Sequence, residues 1–385
     1  MDKKMKRLLS AIGISALALG AAAFFVALWH RLETPQLQES VLPGDAHLYR
    51  WRPGHISYKI LGDPAAPALV LLHTPALGAS SHEMRKIAGT LAQHYHVYAL
   101  DLPGFGLSDR PAIDYSAQIY SDMLRDFLAE VIGQPVTLLA SGLSCNYAVV
   151  VAASNPDLCA RLVLISPYAL SGAARVPDAL GRLVALPPLA FILYPLLCGR
   201  QALRGLLAAR HHLNVRAVAA SDIDQLYATT HQFGAEHAPL ALIAGRLDSD
   251  ATREFAALTQ PMLIMWGARA FQDALPAAGE QHIPTQAQFV FVPDAGLFVH
   301  EEAPAEVVAH IEAWNKAQTA ATAGSSVAND TVAQPALEIY CVKCRVKRAV
   351  AHPHAVTLSN GRPAFSGPCP VCGTMLYRMR QRQTS

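Results

Sequence analysis

The sequence predicts an α/β fold: a mostly parallel sheet covered by helices on both faces. Three observations carry that expectation. Short apolar runs at 68–73 (ALVLLH), 97–101 (VYALD), 136–139 (VTLL), 161–167 (RLVLISP), 261–267 (PMLIMWG) and 288–292 (QFVFV) have the length and unbroken hydrophobicity of strands buried on both faces. Helix-like stretches, such as the apolar 146–153, alternate with them, as parallel strands need crossovers. Several runs end in Gly/Pro turns, the plainest being LPGFGLSDRP at 102–111, where glycine permits backbone angles other residues avoid.

The order and punctuation of these motifs over residues 45–316 resemble the α/β-hydrolase family, whose fold and acyl-transfer chemistry are what the resemblance implies. Family members hold a nucleophile in G-x-S-x-G, a sharp turn between strand and helix. Read without gaps, that motif falls on Ala140-Ser141-Gly142-Leu143-Ser144 and puts Gly142 at the nucleophile. Shifted by two residues, it falls on 142–146 and restores a serine, Ser144, at the cost of a shorter helix. The acid follows W-G, and here 266–270 reads WGARA, ending in Ala270. The base follows A-G, and here 295–298 reads AGLF, with Leu297. The oxyanion hole draws one amide from the residue after the nucleophile and one from the loop after the early strand, usually near an H-G dipeptide. This chain has His73-Thr74-Pro75, and a proline has no N–H to give.

Glycine, alanine and leucine cannot activate a hydroxyl, and losing one member of a serine-protease triad already costs on the order of 10^4–10^6 in rate. The sequence therefore points to a non-catalytic member whose old pocket, lined by Thr74, Pro75, Gly142, Leu143 and Leu297, binds a small apolar ligand or a protein partner. The alternative is a working serine hydrolase of esters or similar acyl substrates with a relocated nucleophile, Ser144 or Ser141. Its candidate triad is Ser144, His300 and Asp273. Asp101 and His73 read as loop braces.

Residues 168–258 separate two sheet strands and read as a helical cap. The apolar 183–198 is broken by Pro187, Pro188 and Pro195, so it suits a cap core better than a membrane span. Ser221 reads as a helix cap. The pair His211-His212 reads as solvated or packed rather than as metal ligands.

The N-terminus differs in kind. Residues 1–7 are basic (Lys3, Lys4, Lys6, Arg7), and 8–30 is an uncharged run of the length of a transmembrane signal anchor. Residues 8–29 as a helix span roughly 33 Å, against a hydrocarbon core of about 30 Å. Phe24, Phe25 and Trp29 stand where a cleaved signal peptide would carry small residues, although cleavage is the competing reading. The basic end favours a cytoplasmic N-terminus, with the bulk of the chain extracytoplasmic.

After a flexible linker expected at 317–336, residues 337–380 hold Cys341, Cys344, Cys369 and Cys372 in two C-x-x-C pairs. That pattern suits a structural Zn2+ held by four thiolates, and the segment resembles a small zinc-ribbon domain of unknown role. Disulfides are the alternative in an oxidising compartment. Lys343, Arg345, Lys347, Arg348, Arg378, Arg380 and Arg382 make the ribbon basic, which suits nucleic acid or anionic lipid or simply a solvated surface; a separate reading has the ribbon recruit a protein partner. The net charge of the whole chain is only +2, which gives no case for nucleic-acid binding by the protein as a body. Cys145, Cys159 and Cys198 lie in apolar contexts and read as buried thiols.

Overall fold

The computed structural model describes residues 42–167, 194–210, 218–270, 284, 286–324, 337–341, 343–350, 354–357, 363–369, 371 and 375–379, together with Gly20, Ala21, Phe24, Phe25, Leu28 and Pro35. The chain divides into two compact units, Met1–Gln318 and Thr319–Ser385.

In the first unit an eight-stranded sheet runs in the order β1-β2-β4-β3-β5-β6-β7-β8. Its strands are β1 (Asp45–Trp51), β2 (Gly54–Leu61), β3 (Ala68–Leu72), β4 (His96–Leu100), β5 (Val136–Ser141), β6 (Cys159–Ile165), β7 (Met262–Gly267) and β8 (Ala287–Val292). β1 and β2 form an antiparallel hairpin that joins β4 antiparallel; every other pairing is parallel. The alternation of side chains along each strand explains the unbroken apolar runs. Val70, Leu72, Leu138, Ala140, Leu162, Leu164 and Ile264 pack on one face, while Leu69, Leu71, Leu139, Val163, Ile165 and Leu263 pack on the other. Both faces are covered, so both sets are apolar.

Helices supply the covers. α1 (Arg85–Leu91) lies on one face through Ile87, Ala88 and Leu91. On the other, α2 (Ala117–Phe127) buries Tyr120, Met123, Leu124 and Phe127, and α3 (Ser144–Ser154) buries Cys145, Tyr147, Ala148 and Val149. The cap region contributes α4 (Arg200–Arg210), α5 (Ala220–Thr230), α6 (His237–Ile243) and α7 (Thr252–Ala257). Ser221 sits inside the first turn of α5; Ala219 holds the N-cap place and no side chain caps the helix there. Cap residues 168–193 and 211–217, including His211 and His212, lie outside the described residues.

After β8 come α8 (Val299–Glu302) and α9 (Pro304–Gly324), the latter adding Val307, Ile311 and Trp314 to the α1 face. The linker expected from 317 is helical as far as Gly324, since α9 runs on through AQTAATAG. Alanine is the strongest helix former and glycine a common stop, which outweighs the loop-like threonines. Residues 325–336 lie outside the described residues, as does most of the expected span 8–30. Within that span Gly20, Ala21, Phe24, Phe25 and Leu28 are helical and exposed. No helix among the described residues is long and apolar enough to cross a membrane.

The second unit holds β9 (Leu337–Cys341) paired antiparallel with β10 (Val346–Val350), and a three-stranded sheet of β11 (His354–Thr357), β12 (Pro363–Pro368) and β13 (Met375–Met379).

Candidate functional site

Open parallel sheets bind ligands at the carboxyl ends of their strands, where the strand order reverses. Here that place lies between β3 and β5. A groove of about 430 Å³ lined by Pro43, Gly44, Ile60, Leu61, Ala92 and His96 lies instead near the start of β4 and the end of β2. It is away from the elbow, and the elbow is the candidate site.

β5 stops at Ser141 and α3 starts at Ser144, so the turn is made by Gly142 and Leu143. Gly142 has φ +54, in the left-handed region that L side chains avoid, and its N–H donates to the Ile165 carbonyl at 2.9 Å. Of the two registers, the ungapped one therefore describes the turn: the strained apex is Gly142, and Ser144 is already in the helix.

The space above that apex is filled by Thr74. A Cβ added at Gly142 would stand 2.5 Å from Thr74 Oγ1 and 3.0 Å from its Cβ. The same hydroxyl accepts the Leu143 N–H at 3.2 Å, the amide a hydrolase of this fold offers to an oxyanion. Thr74 donates its own N–H to Glu83 Oε2 at 3.1 Å. Pro75, buried beside it, has no N–H. The Leu143 and Thr74 amides are thus both spent inside the protein.

The serines are spent too. Ser144 is fully buried and its hydroxyl donates to the His73 carbonyl at 2.6 Å. Ser141 is buried and faces Glu83. Cys145 is fully buried, with its thiol 3.3 Å from the Ala140 carbonyl, and burial pushes that thiol well up from its ordinary range. Burial likewise pushes the thiols of Cys159 and Cys198 up to about 12.

At the other positions of the expected site, Ala270 is buried and Leu297 packs, half-buried, against the core beneath the elbow side of the sheet. Their loops do meet: the Arg269 N–H donates to the Ala295 carbonyl at 3.1 Å, and Gly267 lies so close to the carbonyls of Ala295 and Gly296 that no side chain would fit. Glu302 closes the second loop by accepting the Gly296 N–H at 2.9 Å. Asp273 lies outside the described residues.

His300 does not reach toward Ser144 through any hydrogen bond among the described residues; its Nε2 lies 3.1 Å from Glu83 Oε1, and both side chains are buried. Burial raises the Glu83 carboxyl, but the His300 ring, with His73 and Ser141, outweighs burial and holds it below the usual range. This pair was not legible in the sequence, since Glu83 lies in none of the motifs read above. His73 and Asp101 brace loops as expected. His73 Nε2 accepts the Leu102 N–H, so its proton sits on Nδ1, 3.0 Å from the Thr74 carbonyl. Asp101 accepts the Ser81 and Leu107 N–H groups.

Set on this geometry, the comparisons are clear about the fold. A model described as the alpha/beta hydrolase family matches residues 69–310. This chain belongs to that family. Residues 340–379 match a domain of unknown function, DUF5679. An uncharacterised protein of Mycobacterium tuberculosis (strain H37Rv) is 34% identical over 110 residues, 29% of this chain and 31% of that protein, so the match spans about a third of the relative's length. Among solved structures, Cfl2 from Burkholderia cenocepacia is 21% identical with a TM-score of 0.58, covering 70% of this chain and 95% of that one. A membrane phospholipase A, described as a bacterial virulence factor, is 21% identical with a TM-score of 0.55, covering 81% and 98%. A haloalkane dehalogenase loop variant from Bradyrhizobium elkanii is 19% identical with a TM-score of 0.56, covering 72% and 98%. These likenesses show the fold.

In the second unit, Cys341 ends β9, Cys344 lies in the turn before β10 with Arg345 at φ +54, and Cys369 follows β12 in the turn before β13. The Sγ atoms of Cys344 and Cys369 are 3.9 Å apart. The side chain of Cys341, and Cys372 as a whole, lie outside the described residues; among those described, no three metal-binding side chains cluster.

Proposed function

We propose that this chain is a non-catalytic member of the hydrolase family that works by binding a small apolar ligand at its capped elbow. One observation carries the reading: the Thr74 side chain occupies the space a nucleophile would need above Gly142 and takes the Leu143 amide for itself. A site that has exchanged its nucleophile for glycine and its oxyanion donor for an internal hydrogen bond has no group with which to attack an acyl carbon or to hold the charge that would develop. Loss of one oxyanion donor alone costs about 10²–10³ in rate. Leu143 and Leu297 offer apolar surface in place of those groups.

The test is ester turnover by the full chain across p-nitrophenyl esters of short to long acyl length. The reading expects no rate above that of the Ser144→Ala variant. Saturable turnover that Ser144→Ala abolishes would establish the relocated hydrolase instead.

Two further parts belong to the same proposal. Residues 8–30 hold the chain at a membrane as a single span with a cytoplasmic N-terminus, supported by an uncharged run behind four basic residues. Residues 337–380 bind a structural zinc ion through Cys341, Cys344, Cys369 and Cys372 and offer a basic surface to a protein partner. The fit is good on two counts. Cys344 and Cys369 lie in the turns of two antiparallel hairpins, and thiolates at a tetrahedral angle on ~2.3 Å bonds stand about 3.8 Å apart, against 3.9 Å for this pair. A disulfide would bring sulfurs to about 2.05 Å. Elemental analysis of the purified chain tests this: zinc is expected, and its absence with the thiols oxidised would favour disulfides.

A further inference from the structure

The side chain of Gln232, just past the end of α5 in the cap, donates to the carbonyl of Pro35 at 2.9 Å while also bonding the Ala228 carbonyl at 2.8 Å. Pro35 is six residues beyond Trp29, the last residue of the apolar N-terminal run. Six residues reach at most ~20 Å even when fully extended. A domain of the size of 45–316 is on the order of 45–50 Å across. The tether is therefore much shorter than the body it holds, and the face that carries Gln232 must be the one turned to the anchor.

That face ends in Phe233. It is 89% exposed, although its turn is tightly fixed: Ala235 N–H donates to the Gln232 carbonyl, His237 N–H to the Gly234 carbonyl, and Gly234 has φ +75 against the Arg110 backbone. Nearby, the Tyr194 hydroxyl lies 2.9 Å from the carbonyls of both Thr230 and Ala235, which ties the turn to the helical residues 194–198. Leu196 in that segment is 61% exposed. Single exposed apolar side chains are ordinary on soluble surfaces. These two gain meaning from standing beside the point where a short tether from an apolar span is fastened.

We infer that the cap turn at Phe233, with Leu196, docks on the lipid surface of the membrane that holds residues 8–30. The inference rests on the proposed anchor. Aromatic side chains favour the bilayer interface, and a rigid turn presents one at little entropic cost.

The test uses the full chain in phosphatidylcholine/phosphatidylglycerol vesicles, with p-benzoylphenylalanine replacing Phe233 in one preparation and Leu48, an exposed apolar residue of β1, in another. After irradiation and mass spectrometry, a several-fold excess of lipid adduct at 233 over 48 is expected. Equal yields, no adduct at 233, or only protein–protein adducts there, in a chain that still floats with vesicles after carbonate washing, would overturn the docking while leaving the anchor intact. A chain that does not float would overturn the anchor and the docking together.

Discussion

The elbow of the hydrolase unit and the two hairpins of the C-terminal unit stand as opposites. At the elbow the backbone keeps its strained turn, its neighbouring loops and its packing, yet Gly142, Ala270 and Leu297 carry no reactive group. In the hairpins Leu376 and Cys369 are buried, and the two C-x-x-C pairs are the thiols of the zinc site proposed above. The contrast has a physical cause. The elbow is held by the large core on both faces of the sheet, so on the proposed reading its shape persists without chemistry, whereas the C-terminal unit would draw its folding energy from the proposed metal. Backbone geometry at a site is thus weak evidence for chemistry when a large core pays for it.

Variants can break this comparison, beginning at the hairpins. Cys369→Ser is expected to abolish bound zinc and remove amide-exchange protection over 337–379, because zinc supplies roughly 10–16 kcal/mol to folding in such units. Protection in the hydrolase unit should not change. Hydrogen exchange with elemental analysis reads both, and retained protection at 337–379 would break the contrast.

Beneath the elbow, His300→Leu leaves the Glu83 carboxylate buried without its ring and should cost about 3–5 kcal/mol in urea unfolding of the hydrolase unit. The sign of the pH effect follows from the same pair. The Glu83 carboxyl is depressed in the folded state, so its stabilisation is present above the ordinary glutamate value of about 4.3 and is lost as pH falls through the lower folded value. A Glu83→Gln chain should therefore lose less stability than the parent between neutral pH and acid below that value. An unchanged acid limb would remove Glu83 from the account.

At the apex, Gly142→Ala combines a left-handed residue with a collision against Thr74 and should cost roughly 2–5 kcal/mol. In a Thr74→Gly background only the conformational part remains, about 1–2 kcal/mol, so the two substitutions should be strongly non-additive. Additive costs would mean Thr74 does not fill the space. The smallest effect is expected from Arg269→Ala, whose ion pair with Asp294 lies exposed in the loops beside the acid position. Such pairs contribute about 0–1 kcal/mol, which sets the baseline for the buried pair.

The parallel strands were readable because both their faces are buried, which makes each run apolar throughout. β1 and β2 were not, since β1 is an edge strand exposed along most of its length and reads as DAHLYRW. That Gly142, Ala270 and Leu297 carry no reactive side chain was legible in the motifs; that the chemistry is lost with them is the reading proposed above. What stayed hidden was the meaning of Thr74. The reading weighed Pro75 as the break in the oxyanion loop, whereas the residue before it makes the larger change. The signal was present as a reciprocal exchange: a side chain is lost at 142 and one is gained at 74, where the family has glycine. Two such positions are adjacent only in three dimensions, so a linear reading has no means to pair them. Glu83 and His300 were hidden for the same reason, being 217 positions apart in the chain and joined only by packing.

The most direct measurement treats the folded full chain with a fluorophosphonate serine-hydrolase probe and maps covalent adducts by mass spectrometry. The account predicts no specific adduct, because Ser144 and Ser141 are buried and hydrogen-bonded, and because Thr74 has taken the amide that would hold the phosphonyl oxygen. A specific adduct at Ser144, Ser141 or Thr74, absent from the denatured control, would contradict it and show that the chemistry had moved within the fold rather than left it.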